Sequence, residues 1–205
     1  MNAARHTVAV LAAALCVALA GCDKLASTPS APAVAFRGAD ITGADYARTL
    51  ALPDISGQQR TLADFKGKVT VVFFGYTQCP DVCPTTMAEL AQVKKSLGVD
   101  GDKLQGVFVT IDPERDTPEI LKSYMASFDP SFVALRGTVE QTQAAAKEFK
   151  VFFAKVPGKA DGSYTMDHTA GAFILDGKGN VRLFERYGGG PEALASDIKA
   201  LMTAG

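Results

Sequence analysis

The chain reads as an α/β domain built on a mixed sheet, and three observations carry that reading. "KVTVVFFGY" (68–76) and "LQGVFVTID" (104–112) are continuous runs of apolar, β-branched and aromatic residues, the composition of strands buried on both faces. After the first run, Met87, Leu90, Val93 and Leu97 recur at helical spacing. Near the C-terminus, "HTAGAFILDGKGNVRLFERY" (168–187) reads as two strands joined by a Gly-rich turn, so strand and helix alternate around one antiparallel hairpin.

Taken in order, residues 1–21 read as a signal segment. Arg5 supplies a short positive region, and 7–20 is an apolar run shorter than the about 20 residues that span a bilayer. The run ends in Leu19-Ala20-Gly21-Cys22, which resembles the bacterial lipobox, where the signal is cut before the cysteine and that thiol is lipidated. Asp23 resembles the signal that keeps lipoproteins of Gram-negative bacteria in the inner membrane. The expected location is therefore the periplasmic face of that membrane, held by a lipid on Cys22. Residues 22–45, rich in Ala, Ser, Pro and Gly, read as a flexible tether. About 20 such residues reach roughly 25 Å. Residues 46–205 are then the folded domain.

Within it, "LALPDISGQQRTLADF" predicts an N-terminal β-hairpin turning at Ser56-Gly57, followed by the central strand. Pro84 suits the first position of the next helix, which makes Cys83 its N-cap and leaves Cys79 in the loop before it. Asp116-Thr117-Pro118-Glu119 resembles a capping box opening a helix through residue 128. A strand at 132–135, a helix over 139–149, the segment "VFFAKV", the C-terminal hairpin and a final helix after Pro191 complete the domain. Phe74 and Tyr76 are expected to pack the end of the central strand, and 112–117 to end a strand and cap a helix.

With 21 Lys and Arg against 22 Asp and Glu and no basic block, nothing in the chain suits a nucleic-acid partner. The chemistry lies in the cysteines. Cys16 leaves with the signal and Cys22 becomes the anchor, so Cys79 and Cys83 remain as free thiols, and His168 is the one histidine of the mature chain. A cysteine at a helix N-terminus faces unpaired N–H groups and the positive end of the helix dipole, which predicts a lowered thiol pKa. A purely structural disulfide between residues so close restrains little chain entropy. A thiol-disulfide oxidoreductase typically has two residues between its cysteines and a cis-proline before its last hairpin. Here three residues intervene, and Asp167-His168 precede "TAGAFILD". An imidazole at that place suggests a third ligand, and two thiolates with one imidazole suit copper in either oxidation state. Other readings stay open: a periplasmic thiol reductase that does not need His168, a peroxidase using Cys79 with Thr77, or a zinc site lacking its usual fourth ligand. Asp167 is a candidate to orient His168, and Asp81 to close the metal loop.

Three segments, "FGYTQCPDVCP" (74–84), "TIDPERDTP" (110–118) and "DHTAGAFILDGKG" (167–179), together resemble the Sco/SenC proteins of cytochrome oxidase assembly, and the likeness runs from about Tyr46 to the C-terminus. The resemblance implies a thioredoxin-like fold carrying an extra N-terminal hairpin. It also implies one copper ion, as Cu(I) or Cu(II), bound by Cys79, Cys83 and His168. The implied role is to help build the binuclear copper A centre in subunit II of cytochrome c oxidase, by delivering copper, by reducing that subunit's cysteines, or both. A periplasmic copper donor and a thiol reductant are the further partners it implies.

Overall fold

The computed structural model of the protein describes residues 35–203; the expectations for the signal segment, for Cys22 and for the first part of the tether lie outside the described residues. In chain order the elements are β1 (Ala39–Asp40), β2 (Ala51–Pro53), β3 (Gln59–Thr61), β4 (Val69–Gly75), α1 (Val82–Ser96), β5 (Leu104–Thr110), α2 (Pro118–Ala126), β6 (Val133–Leu135), α3 (Val139–Glu148), β7 (Phe153–Pro157), β8 (Tyr164–His168), β9 (Gly171–Leu175), β10 (Val181–Arg186) and α4 (Pro191–Thr203). The main sheet has the order β1-β10-β9-β4-β5-β6. β4 runs parallel to β5 and antiparallel to β9, so the sheet is mixed as expected.

Every residue of β4 and β5 is buried, which is why both read as unbroken apolar runs. Successive side chains of a strand point to opposite faces. Phe73 accordingly meets Phe108, with ring centroids 6.2 Å apart, while Phe74 meets Phe149 at 5.2 Å. Helix α1 turns Met87, Leu90 and Val93 inward, at the spacing the sequence predicts, and lies beside α4. β2 and β3 form the expected N-terminal hairpin around Gly57, whose φ of +86° suits a residue without a Cβ.

Away from the cysteine loop and the first turn of α1, the structure differs from the sequence reading in three places. Residues 37–40, read as the end of the tether, are packed on the domain: β1 pairs with β10, and the backbone N–H groups of Arg37 and Gly38 donate to the buried Asp197 carboxylate of α4 at 2.7–3.0 Å. A two-residue exposed strand carries no apolar pattern, and it and the residues before it find their partners in β10 and α4, far along the chain, so nothing local announces it. Secondly, "VFFAKV" is one arm of a second small hairpin, in which β7 pairs with β8 from Phe153↔His168 to Pro157↔Tyr164. Thirdly, Thr117 alone caps α2, accepting from the Ile120 N–H at 3.3 Å, while Asp116 turns inward and is fully buried.

Candidate metal centre

The loop from Tyr76 to Asp81, which leaves the end of β4, and the first turn of the helix after it bring two sulfurs together, Cys79 from the loop and Cys83 from the helix. Helix α1 begins at Val82 with Asp81 as its N-cap, so Cys83 lies inside the first turn and is not the cap that the sequence suggested. Pro84 tolerates this, because any N–H of the first turn lacks an intrahelical partner. The Cys83 N–H is directed at Cys79 Sγ, 3.5 Å away, so the helix N-terminus acts on Cys79. Cys83 is fully buried, and its sulfur rests against Gly75, where an added Cβ would stand 2.8 Å from it.

This burial overturns the expected acidity of Cys83. Removal from water penalises the thiolate more than neighbouring backbone donors favour it, and the thiol pKa is pushed well above its ordinary value. Metal-free Cys83 is thus a neutral thiol, and a cation must displace its proton to bind.

His168, the last residue of β8, joins the two sulfurs. Its Nε2 is 3.6 Å from Cys83 Sγ, and its ring stands edge-on to Tyr76 and Phe73, at 6.0 and 6.1 Å between centroids. Nδ1 lies 3.0 Å from the Thr169 carbonyl oxygen, which only accepts, so Nδ1 carries the hydrogen and Nε2 presents a lone pair toward the sulfurs. Burial lowers the imidazole pKa and favours that neutral form. Asp167 is exposed and does not take the orienting part suggested for it, since the Thr169 carbonyl does. Asp81, also exposed, accepts from the Tyr187 hydroxyl at 3.2 Å and the Thr85 hydroxyl at 3.4 Å, which ties the start of α1 to the loop after β10.

The donor atoms of Cys79, Cys83 and His168 all lie within 4.8 Å of one another, the one cluster among the described residues that could hold a metal ion. Two sulfurs and a neutral imidazole nitrogen fit copper, whereas a closed structural zinc site would use a fourth protein ligand that the cluster does not contain.

The segment "TIDPERDTP" does more than end a strand. Asp116 accepts from the Thr77 hydroxyl and the Thr110 hydroxyl at 2.6 Å each, and from the Thr77 N–H at 3.2 Å, pinning the residue two before Cys79. Burial raises the Asp116 pKa in spite of these bonds. Asp112, also buried, accepts from the Tyr164 hydroxyl at 2.8 Å at the start of β8. No local pattern of residue type marks these inward-turned carboxylates; the signal in the sequence is the family-like segment "TIDPERDTP" itself.

The SCO1/SenC family model matches residues 38–203. The chain is 36% identical over 129 residues to the SCO2-like protein of Rickettsia felis, a match covering 62% of this chain and 63% of that relative's length. Among solved structures, ScoI of Bradyrhizobium japonicum with copper bound is similar at 41% identity and a TM-score of 0.68, over 75% of this chain and 97% of that one. A SCO1/SenC family lipoprotein of Bacillus anthracis is similar at 25% identity and a TM-score of 0.66, over 82% and 99% of the two chains.

Proposed function

This chain belongs to the SCO1/SenC family, and from that premise we propose that it is a membrane-tethered copper chaperone that binds one copper ion through Cys79, Cys83 and His168. Its task is to help build the copper A centre of cytochrome c oxidase subunit II. One observation carries this reading: two sulfurs and the lone-pair nitrogen of a fixed imidazole converge within 4.8 Å. Loading Cu(I) displaces one proton from each thiol. Cys79 is only half-buried, so the site opens on its side, where an incoming thiolate can exchange for a ligand.

The anchor in this reading is Cys22. In support, the lipobox Leu19-Ala20-Gly21-Cys22 precedes the described domain, no helix among the described residues is long and apolar enough to cross a membrane, and the similar Bacillus anthracis protein is a lipoprotein. The partners are subunit II, a periplasmic copper donor and a thiol reductant that keeps the pair loadable.

A second reading, reduction of subunit II's cysteines, draws on the unequal exposure of the pair. Cys79 as thiolate would attack a partner disulfide, form the mixed disulfide and expel the partner's first thiolate. Cys83 would then lose its proton, attack the Cys79 sulfur and release the second partner thiol, so two electrons pass to the partner and the pair ends oxidised. A periplasmic dithiol would reduce it again.

A strain whose only copy is His168→Ala, grown with limiting copper, separates the two. Loss of copper A assembly supports delivery. Normal assembly in that strain with failure in Cys79→Ser gives the task to thiol reduction.

A further inference from the structure

Residues 112–116 stand outside the Cys79, Cys83 and His168 cluster, yet four side chains of this segment bind either the cysteine loop or the histidine hairpin. Asp116 holds Thr77, Asp112 holds Tyr164, Glu114 pairs with Lys155 of β7, and Arg115 joins both sides at once. Arg115 Nη1 donates to Gln78 Oε1 at 3.1 Å, on the residue next to Cys79, and to the backbone carbonyl of Tyr164 at 2.8 Å, at the start of the strand that ends in His168. Its Nε is paired with Asp112. Its guanidinium lies 3.6 Å from the centroid of the Tyr164 ring and 5.8 Å from that of Tyr76, which itself packs on His168.

We propose that Arg115 is a positioning residue for the metal centre, a clamp that fixes β8 against the cysteine loop and thereby holds the His168 nitrogen in reach of the two sulfurs. The inference rests on the copper reading and deepens it. The geometry makes the clamp selective. Cys79 and Cys83 belong to one short loop and helix turn and stay together without Arg115, whereas His168 comes from a hairpin outside the main sheet, joined to β7 alone by strand pairing. A guanidinium that donates from Nε to Asp112 and from Nη1 to Gln78 and Tyr164 while stacked on an aromatic ring is a stiff connector, and neither a lysine nor a glutamine reproduces it.

The two copper ions should register the loss differently. Cu(I) is satisfied by soft thiolates, while Cu(II) depends more on the imidazole. Residues that orient metal ligands typically contribute about 10–100-fold in affinity. Arg115→Gln should therefore weaken Cu(II) binding by at least about 10-fold, with a shifted thiolate-to-Cu(II) absorption band, and change Cu(I) affinity by less than about 3-fold. Arg115→Lys keeps a charge for Asp112 without the fork, so it should retain the fold and still lose Cu(II) affinity.

The test is a set of competition titrations with Cu(I) and Cu(II) on the purified protein and the variants Arg115→Gln, Arg115→Lys, His168→Ala and Arg115→Gln/His168→Ala, with thermal melts of each. A clamp acting through His168 predicts that the double variant binds Cu(II) no more weakly than His168→Ala alone. Equal further loss in the His168→Ala background, an unchanged Cu(II) affinity in Arg115→Gln, or full Cu(II) affinity in Arg115→Lys would each overturn it. Wild-type protein that binds neither ion would instead remove the copper reading itself, and the clamp with it.

Discussion

The backbone N–H of Cys83 points at the sulfur of Cys79, 3.5 Å away, so one cysteine of the pair receives the helix terminus while the other is enclosed by the core. The two thiols should therefore react unequally. In the reduced protein, iodoacetamide should label Cys79 at least about 10-fold faster than Cys83, because a buried neutral thiol is both shielded and un-ionised. Mass spectrometry of Cys79→Ser and Cys83→Ser after timed alkylation reads this directly. Equal rates would mean that the enclosure of Cys83 is not kept in solution.

Gly75 should be irreplaceable by alanine for a steric reason. The added Cβ would lie 2.8 Å from Cys83 Sγ and 2.7 Å from the Phe73 ring, both held in a packed core. Gly75→Ala is expected to cost about 1–3 kcal/mol in urea unfolding, as overpacking does. It should also displace Cys83 and weaken copper binding, and a variant of wild-type stability and affinity would contradict this packing.

Asp116 anchors the loop before Cys79, and its removal should be felt in both stability and metal binding. Asp116→Ala leaves the Thr77 and Thr110 hydroxyls and the Thr77 N–H without their acceptor. A buried donor left unpaired costs about 1–3 kcal/mol, which falls on the buried Thr110 hydroxyl in full and on the half-buried Thr77 donors in part, so the variant should melt below wild type. Hydrogen exchange of the Thr77 and Cys79 amides should rise with it.

The N-terminal hairpin supplies a pH-dependent contribution through Asp54. Burial pushes the Asp54 carboxyl up, but bonds from the Ser56 hydroxyl and N–H, from Arg60 and from the Gln58 N–H outweigh it and hold the pKa at about 2, against an ordinary 3.8. A depressed pKa stabilises the fold above 3.8, and the contribution is lost as pH falls from there toward about 2. Asp54→Ala should thus be less stable than wild type by about 2 kcal/mol at pH 7, with the gap closing as the pH approaches 2. A gap that does not change with pH would mean that the contribution is not the carboxylate's charge.

The parts of this fold legible in the sequence are those whose burial is written into local residue type. β4, β5 and the inner face of α1 announce themselves because each residue that must avoid water is apolar. Cys79, Cys83 and His168 were legible as a site because thiols and imidazoles are few in the chain and their place in the element order is distinctive. Other features depend on distant partners. β1 is held by β10 and the residues before it by Asp197, Asp116 turns inward to meet Thr77, and β8 pairs with β7 and accepts a bond from Arg115. The sequence points to an acidic Cys83 because position along a helix is visible in it, while the depth of a sulfur below the surface emerges only when the sheet, Gly75 and the helix pack together.

The central claim is that Cys79, Cys83 and His168 form one copper site, and copper-edge X-ray absorption on the reduced protein loaded with one equivalent tests it most directly. The account predicts two sulfur ligands and one imidazole nitrogen in the wild type, with the nitrogen lost and both sulfurs kept in His168→Ala. The same ligand set in both proteins, or a copper ion bound by nitrogen and oxygen alone, would contradict it.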